Sequence, residues 1–225
     1  MVILSKFMLC VTALVLVPIV AHADQAVQVG GAWALLNAPP APKAAAILIP
    51  GGDGVLGVKP DGTFASLKGN QLVRTRKAYM QHGVATLTVD SGVNVAAAVE
   101  YMRKVASPVA VVATSRGSLR VASALAGKPD AVVLTGAFLN DVRGAVGSPA
   151  RLPRTLVVHH RQDGCKHTTP SAVEPFKAWG GAKVTVAWKS GGINEGDPCQ
   201  AKGYHGFNGL DGDVVSTVAG FAKGG

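Results

Sequence analysis

The chain has 225 residues, 48% of them hydrophobic, with 22 Lys and Arg against 13 Asp and Glu. That length fits one domain large enough for a substantial core. The formal charge of +9 is scattered, with no arginine-rich stripe interleaved with aromatics; this argues against nucleic-acid binding and is compatible with acidic substrates or a weak association with an anionic cell surface, a generally basic surface without a dedicated partner being the favoured reading.

Residues 1–23 read as a secretory signal peptide. Lys6 is their only charge, an apolar core runs from about 7 to 20, and Ala21-His22-Ala23 is a small-x-small site before Asp24. The apolar run is short for a bilayer span. Cys10 lies inside it without a small-residue lipobox, so a lipoprotein is not expected. The expected product is one domain, residues 24–225, in the periplasm or outside the cell. A bacterial source is inferred from composition alone. Cys165 and Cys199 survive cleavage. An even pair in an oxidising compartment points to one disulfide. Closing that loop restricts the unfolded chain by about 3–4 kcal/mol in the entropy model.

Beyond the leader, segments 26–29 and 33–36 can form an antiparallel hairpin. Ala38-Pro-Pro-Ala-Pro-Lys43 is a short connector. Strands are then predicted at 45–49, 84–89, 109–113, 131–134, 155–159 and 184–188. Helices are predicted at 70–81, 93–105, 118–126, 170–179 and 213–222. Ser107-Pro108 breaks the second helix, and Gly83 and Gly127 close the first and third. Apolar strands rich in Val, Leu and Ile, alternating with helices, indicate a mostly parallel sheet covered on both faces. No insertion is long enough for a separate lid domain, so the site should be open.

Ligands of such sheets sit at the carboxyl ends of the strands. Ser115 lies in Val-Val-Ala-Thr-Ser-Arg-Gly-Ser, where an apolar strand meets a helical run. That is a nucleophile-elbow pattern: a sharp turn strains the serine and exposes its hydroxyl. Alanine at 113 replaces the more usual first glycine and is still small. Ile49-Pro50-Gly51-Gly52-Asp53-Gly54 follows another strand. Its backbone N–H groups, near Gly52 and Asp53, would join that of Arg116 as an oxyanion hole. Asp163, in His159-His160-Arg161-Gln162-Asp163-Gly164-Cys165, is the acid. Asp141 competes for that role, but Cys165, next to Asp163, has its partner near the histidine. That histidine is His205, in Tyr204-His205-Gly206-Phe207, before the last helix. His82, at a helix end, is read as structural. The Arg116 side chain is expected to pair with Asp90 or Asp53, the other possibility being attraction of an anionic substrate.

The order Ser115, Asp163, His205 resembles that of the α/β-hydrolase superfamily, from about Ala44 to the C-terminus, in its small, lidless, exported members. The resemblance implies a Ser115–His205–Asp163 triad with main-chain donors near Gly52 and at Arg116. It implies a serine hydrolase that cleaves an ester or related acyl bond through an acyl-enzyme, without a cofactor. Thioesterase, amidase and acyltransferase chemistry share this machinery. A Cys165–Cys199 bridge would tie the acid loop to the histidine loop. The expected partner is a small acyl substrate, and the chain is read as a monomer. Two other readings remain. One is a catalytically silent ligand-binding protein on the same scaffold. The other is a metal site drawn from His159, His160, Asp163, Cys165 and His167, although neighbouring strand residues point to opposite faces.

Overall fold

We describe residues 24–225 from a computed structural model; the leader assigned to residues 1–23 lies outside them. The hairpin forms as expected, from β1 (Gln25–Val29) and β2 (Ala32–Asn37). The chain then alternates through β3 (Ala44–Ile49), α1 (Gln71–Thr75), β4 (Val84–Val89), α2 (Val95–Arg103), β5 (Val109–Thr114) and α3 (Val121–Ala124). It continues with β6 (Ala131–Thr135), α4 (Leu139–Val146), β7 (Arg154–His160), α5 (Val173–Gly180), β8 (Val184–Lys189) and α6 (Asp211–Ala222). The eight strands make one sheet in the order β1-β2-β4-β3-β5-β6-β7-β8. Only the β1–β2 and β2–β4 pairs are antiparallel.

Apolar side chains fill both faces of the central strands, and successive residues alternate between them. Ala45, Ile47 and Ile49 of β3 join one core with Val111 and Ala113 of β5, under α2, α4 and α5. Ala44, Ala46 and Leu48 join a second core with Val112, Val133 and Val158. That face is covered by Leu72 of α1 and by Val214, Val215 and Val218 of α6. Each valine so buried contributes roughly 1.5–3 kcal/mol. Among the described residues no helix is long and apolar enough to cross a membrane.

Three helical segments differ from expectation. The helix expected at 118–126 is α-helical only over α3, with 3-10 turns at Ser115–Arg120 and Leu125–Gly127. Serine hydroxyls compete for its carbonyls: Ser118 Oγ donates to the Ser115 carbonyl at 2.6 Å, and Ser123 Oγ to that of Arg120 at 2.7 Å. The segment expected as one helix at 70–81 divides into α1 and a 3-10 turn, Ala78–His82. There Thr75 Oγ1 donates to the Gln71 carbonyl, and the Arg76 guanidinium turns aside to Asp24. His82 closes that turn, away from the cleft described below. Helix α4 was not expected at all. Asn140, Asp141 and Gly144 are poor helix formers, yet Leu139, Val142 and Val146 bury a common face.

Candidate active site

A cleft of about 640 Å³ opens at the carboxyl ends of the central strands. Ser115 lies at its base, immediately after β5, with φ +50. A serine held left-handed costs about 1–3 kcal/mol, sustained by its surroundings. Here the surroundings are two glycines. A Cβ on Gly117 would collide with the Pro50 carbonyl and stand 2.6 Å from that of Ile49. A Cβ on Gly51 would stand 2.9 Å from Ser115 Cβ. The turn after β5 is therefore packed directly on the turn after β3, with no room for a side chain between them.

Asp163 follows β7, and His205 sits in a short 3-10 turn, Tyr204–Gly206, ahead of α6. Both are buried. His205 Nδ1 lies 2.9 Å from Asp163 Oδ2, and His205 Nε2 lies 2.9 Å from Ser115 Oγ. The carboxylate can only accept, so Nδ1 carries the proton. Nε2 then offers its lone pair to the serine hydroxyl. The structure thus joins all three residues in one hydrogen-bonded series.

Two supports of this series carried no sequence signal. Thr168, fully buried, donates from Oγ1 to Asp163 Oδ2 at 2.9 Å and stands 3.0 Å from His205 Nδ1. Asp163 Oδ1 accepts from the Cys165 N–H at 2.9 Å, so both carboxylate oxygens are held. Arg74, on α1, holds the histidine loop. It donates to the Gly69 and Gly206 carbonyls, each at 2.7 Å, and grips the Asp211 carboxylate from Nε and Nη2. Asp141 stands on the cleft wall in the first turn of α4 and makes no hydrogen bond to His205.

Gly52, at φ +68, lines the cleft, as does Arg116. The Gly52 N–H has no acceptor among the described residues, and Arg116 is in the first turn of its 3-10 helix, where N–H groups are unpaired. Asp53 faces a neighbouring hollow of about 380 Å³, and its carboxylate accepts from the Val55 N–H at 3.0 Å. Gly52 and Arg116 therefore line the cleft together with the serine, whereas Asp53 lines only the neighbouring hollow.

The expected pairing of the Arg116 side chain is not found. The Asp90 carboxylate is occupied by the N–H groups of Leu56, Gly57, Val58 and Ser91. Burial opposes its charge, but those four donors hold its pKa below the usual carboxylate value. The arginine nearest it is Arg120, whose guanidinium donates to the Asp90 and Val93 carbonyls. Arg116 is exposed at the lip shared by the cleft and the neighbouring hollow.

Cys165 and Cys199 form a disulfide, and both cysteines line the cleft. This joins the loop of Asp163 to the loop of His205. The remaining members of the histidine-rich segment diverge. His160 stacks on Tyr204 with ring centroids 4.3 Å apart and donates to the Gly191 carbonyl. His167 stacks on Phe138 at the cleft wall. His159 is buried behind Thr168 and donates from Nε2 to its carbonyl at 2.8 Å. Burial lowers its pKa, outweighing the opposing pull of Asp163. The 3.5 Å approach of His159 to Asp163 is therefore not an ion pair at neutral pH. Among the described residues no three His, Cys, Asp or Glu side chains are placed to hold a metal ion.

No protein-family model and no curated protein sequence matches the chain. Solved structures do. An esterase domain from Rhodothermus marinus superposes with a TM-score of 0.60 at 14% identity, over 85% of this chain and 92% of that one. A protein from Xanthomonas campestris, described as an α/β serine hydrolase without lid, gives 0.58 at 14% identity, over 92% and 94%. An α/β serine hydrolase homologue from Coxiella burnetii gives 0.57 at 15% identity, over 91% and 99%. At such identities the likeness is one of architecture. The sheet order, the position of the cleft and these neighbours agree: the chain has the α/β-hydrolase fold, in the form that lacks a separate lid domain.

Proposed function

We propose that the protein is a serine hydrolase that cleaves an ester or related acyl bond. The observation that supports this reading is the unbroken series Asp163–His205–Ser115, with 2.9 Å at each step, ending on a left-handed serine in a cleft. Structural neighbours described as an esterase and as serine hydrolases are consistent with it.

In this reading His205 Nε2 takes the Ser115 hydroxyl proton as Oγ attacks the acyl carbonyl. Asp163 stabilises the imidazolium that results. The Gly52 and Arg116 N–H groups face the oxyanion. His205 then returns its proton to the leaving group as the bond breaks, leaving an acyl-serine. Water, deprotonated by His205, releases the acid and restores Ser115. The substrate is a small acyl compound, the protein acts as a monomer, and no cofactor takes part. The leader read in residues 1–23 and the Cys165–Cys199 disulfide support an activity in the periplasm or outside the cell. The basic surface gives a weak attraction to anionic envelopes.

The test is intact-mass measurement after treatment with a fluorophosphonate. The folded protein is expected to gain one adduct, and Ser115→Ala none. An unlabelled wild-type protein would remove the case for an activated serine and leave the silent ligand-binding reading in its place.

The bridge gives a further expected outcome. Cys165→Ser with Cys199→Ser should lower the melting temperature, since about 3–4 kcal/mol of loop restriction is lost. It should also reduce turnover at temperatures well below melting, because the two loops are no longer tied. Turnover unchanged there would mean the bridge stabilises the fold without positioning the site.

A further inference from the structure

One polar group in the cleft has no task in that mechanism. Asn70 caps α1, its Oδ1 accepting from the Leu72 N–H at 3.1 Å. Only the oxygen of a carboxamide can accept, so this bond fixes which end faces the helix. The amino end, Nδ2, is turned the other way. Asn70 lies in the cleft wall between Gly69 and Gln71, and Nδ2 donates to no acceptor among the described residues.

Gly51 places this amide relative to the serine. A Cβ built there would lie 3.5 Å from Asn70 Nδ2 and 2.9 Å from Ser115 Cβ. The amide and the serine therefore flank one point on the turn that also carries Gly52. Gly51 is not among the glycines with left-handed φ. What its position demands is absence of a side chain, because Ser115 Cβ and the Thr114 carbonyl, 3.1 Å away, already crowd that point. The backbone of Asn70 is itself anchored, its N–H donating to the Leu67 carbonyl at 2.8 Å. The donor is thus held on a half-buried, doubly tethered residue, and its ordering cost is already met before substrate arrives.

We propose that Asn70 Nδ2 donates a hydrogen bond to the carbonyl-derived oxygen of the bound acyl group, adding a side-chain donor to the backbone N–H groups of Gly52 and Arg116. Asn70 is then a catalytic residue, and the inference rests on the serine-hydrolase reading above. No bond to Asn70 forms or breaks. It retains its protons throughout, and its hydrogen bond strengthens as negative charge gathers on the oxygen.

Two variants separate this role from capping. Serine caps a helix about as well as asparagine, but its short hydroxyl cannot cap and also reach the substrate. Alanine removes both functions. The readout is the second-order rate of labelling by an uncharged fluorophosphonate, whose phosphoryl oxygen occupies the position of the oxyanion, measured beside the melting temperature. Asn70→Ser is expected to label roughly 10- to 100-fold more slowly at unchanged melting temperature. Asn70→Ala should be equally slow and melt lower. Asn70→Ser labelling at the wild-type rate would overturn the inference and leave Asn70 a helix cap, with the Ser115 reading intact. A wild-type protein that takes no label would overturn both.

Discussion

Asp163→Asn is expected to reduce turnover by about 10⁴-fold while the protein remains folded. The cause is a change of tautomer. Asp163 Oδ2 accepts from both His205 Nδ1 and Thr168 Oγ1, and Oδ1 accepts from the Cys165 N–H. Asparagine must keep its oxygen on the Cys165 N–H or leave that donor buried and unpaired. Its NH₂ group then faces His205. Two donors cannot share one bond, so His205 keeps its proton on Nε2 and presents N–H to Ser115. The base is lost although every atom is nearly in place. Turnover of an ester, the labelling rate and the melting temperature together test this. A loss below tenfold in a folded variant would show that Asp163 does not set the protonation of His205.

Gly117→Ala should be strongly destabilising for the addition of a single methyl. Ile49 and Pro50 carbonyls both occupy the space the methyl requires, and both are backbone, so neither can swing away. Overpacking of this kind costs about 3 kcal/mol, or roughly 6–12 °C of melting temperature for a domain of this size. The turn that must yield also carries Gly52, so labelling should slow in whatever protein remains folded. A variant that melts with the wild type would mean the β5 and β3 turns are not in contact.

The strands were legible in the sequence because their pattern is simple. Segment 109–113 has no polar residue and is buried on both faces, as a parallel strand between two helical layers must be. The order of Ser115, Asp163 and His205 along the chain was equally readable, each lying just beyond a strand or before the last helix. Less visible was anything set by contacts between distant residues. Thr168 shows no local feature that separates it from other loop threonines, yet it touches both Asp163 and His205. Arg74 resembles any arginine on a helix until the loop of Gly206 arrives above it. Arg116 was expected to pair with Asp90 or Asp53, but backbone N–H groups had already claimed Asp90. Asn70 was recognised as a helix boundary. Its second face, toward Ser115, exists only once the turn after β3 packs beside it.

The bridge between the two site loops bears on when, as well as where, the chain becomes competent. Thiols are kept reduced in the cytosol and are oxidised after export. A chain that has just been synthesised would therefore hold Asp163 and His205 on loops with no covalent tie. The tie spans 34 residues of sequence, and in a chain exported as proposed it would form only after the membrane has been crossed. For the exported acyl hydrolase proposed above, such an arrangement would separate the compartment of synthesis from the compartment of hydrolysis and spare the acyl compounds of the producing cell.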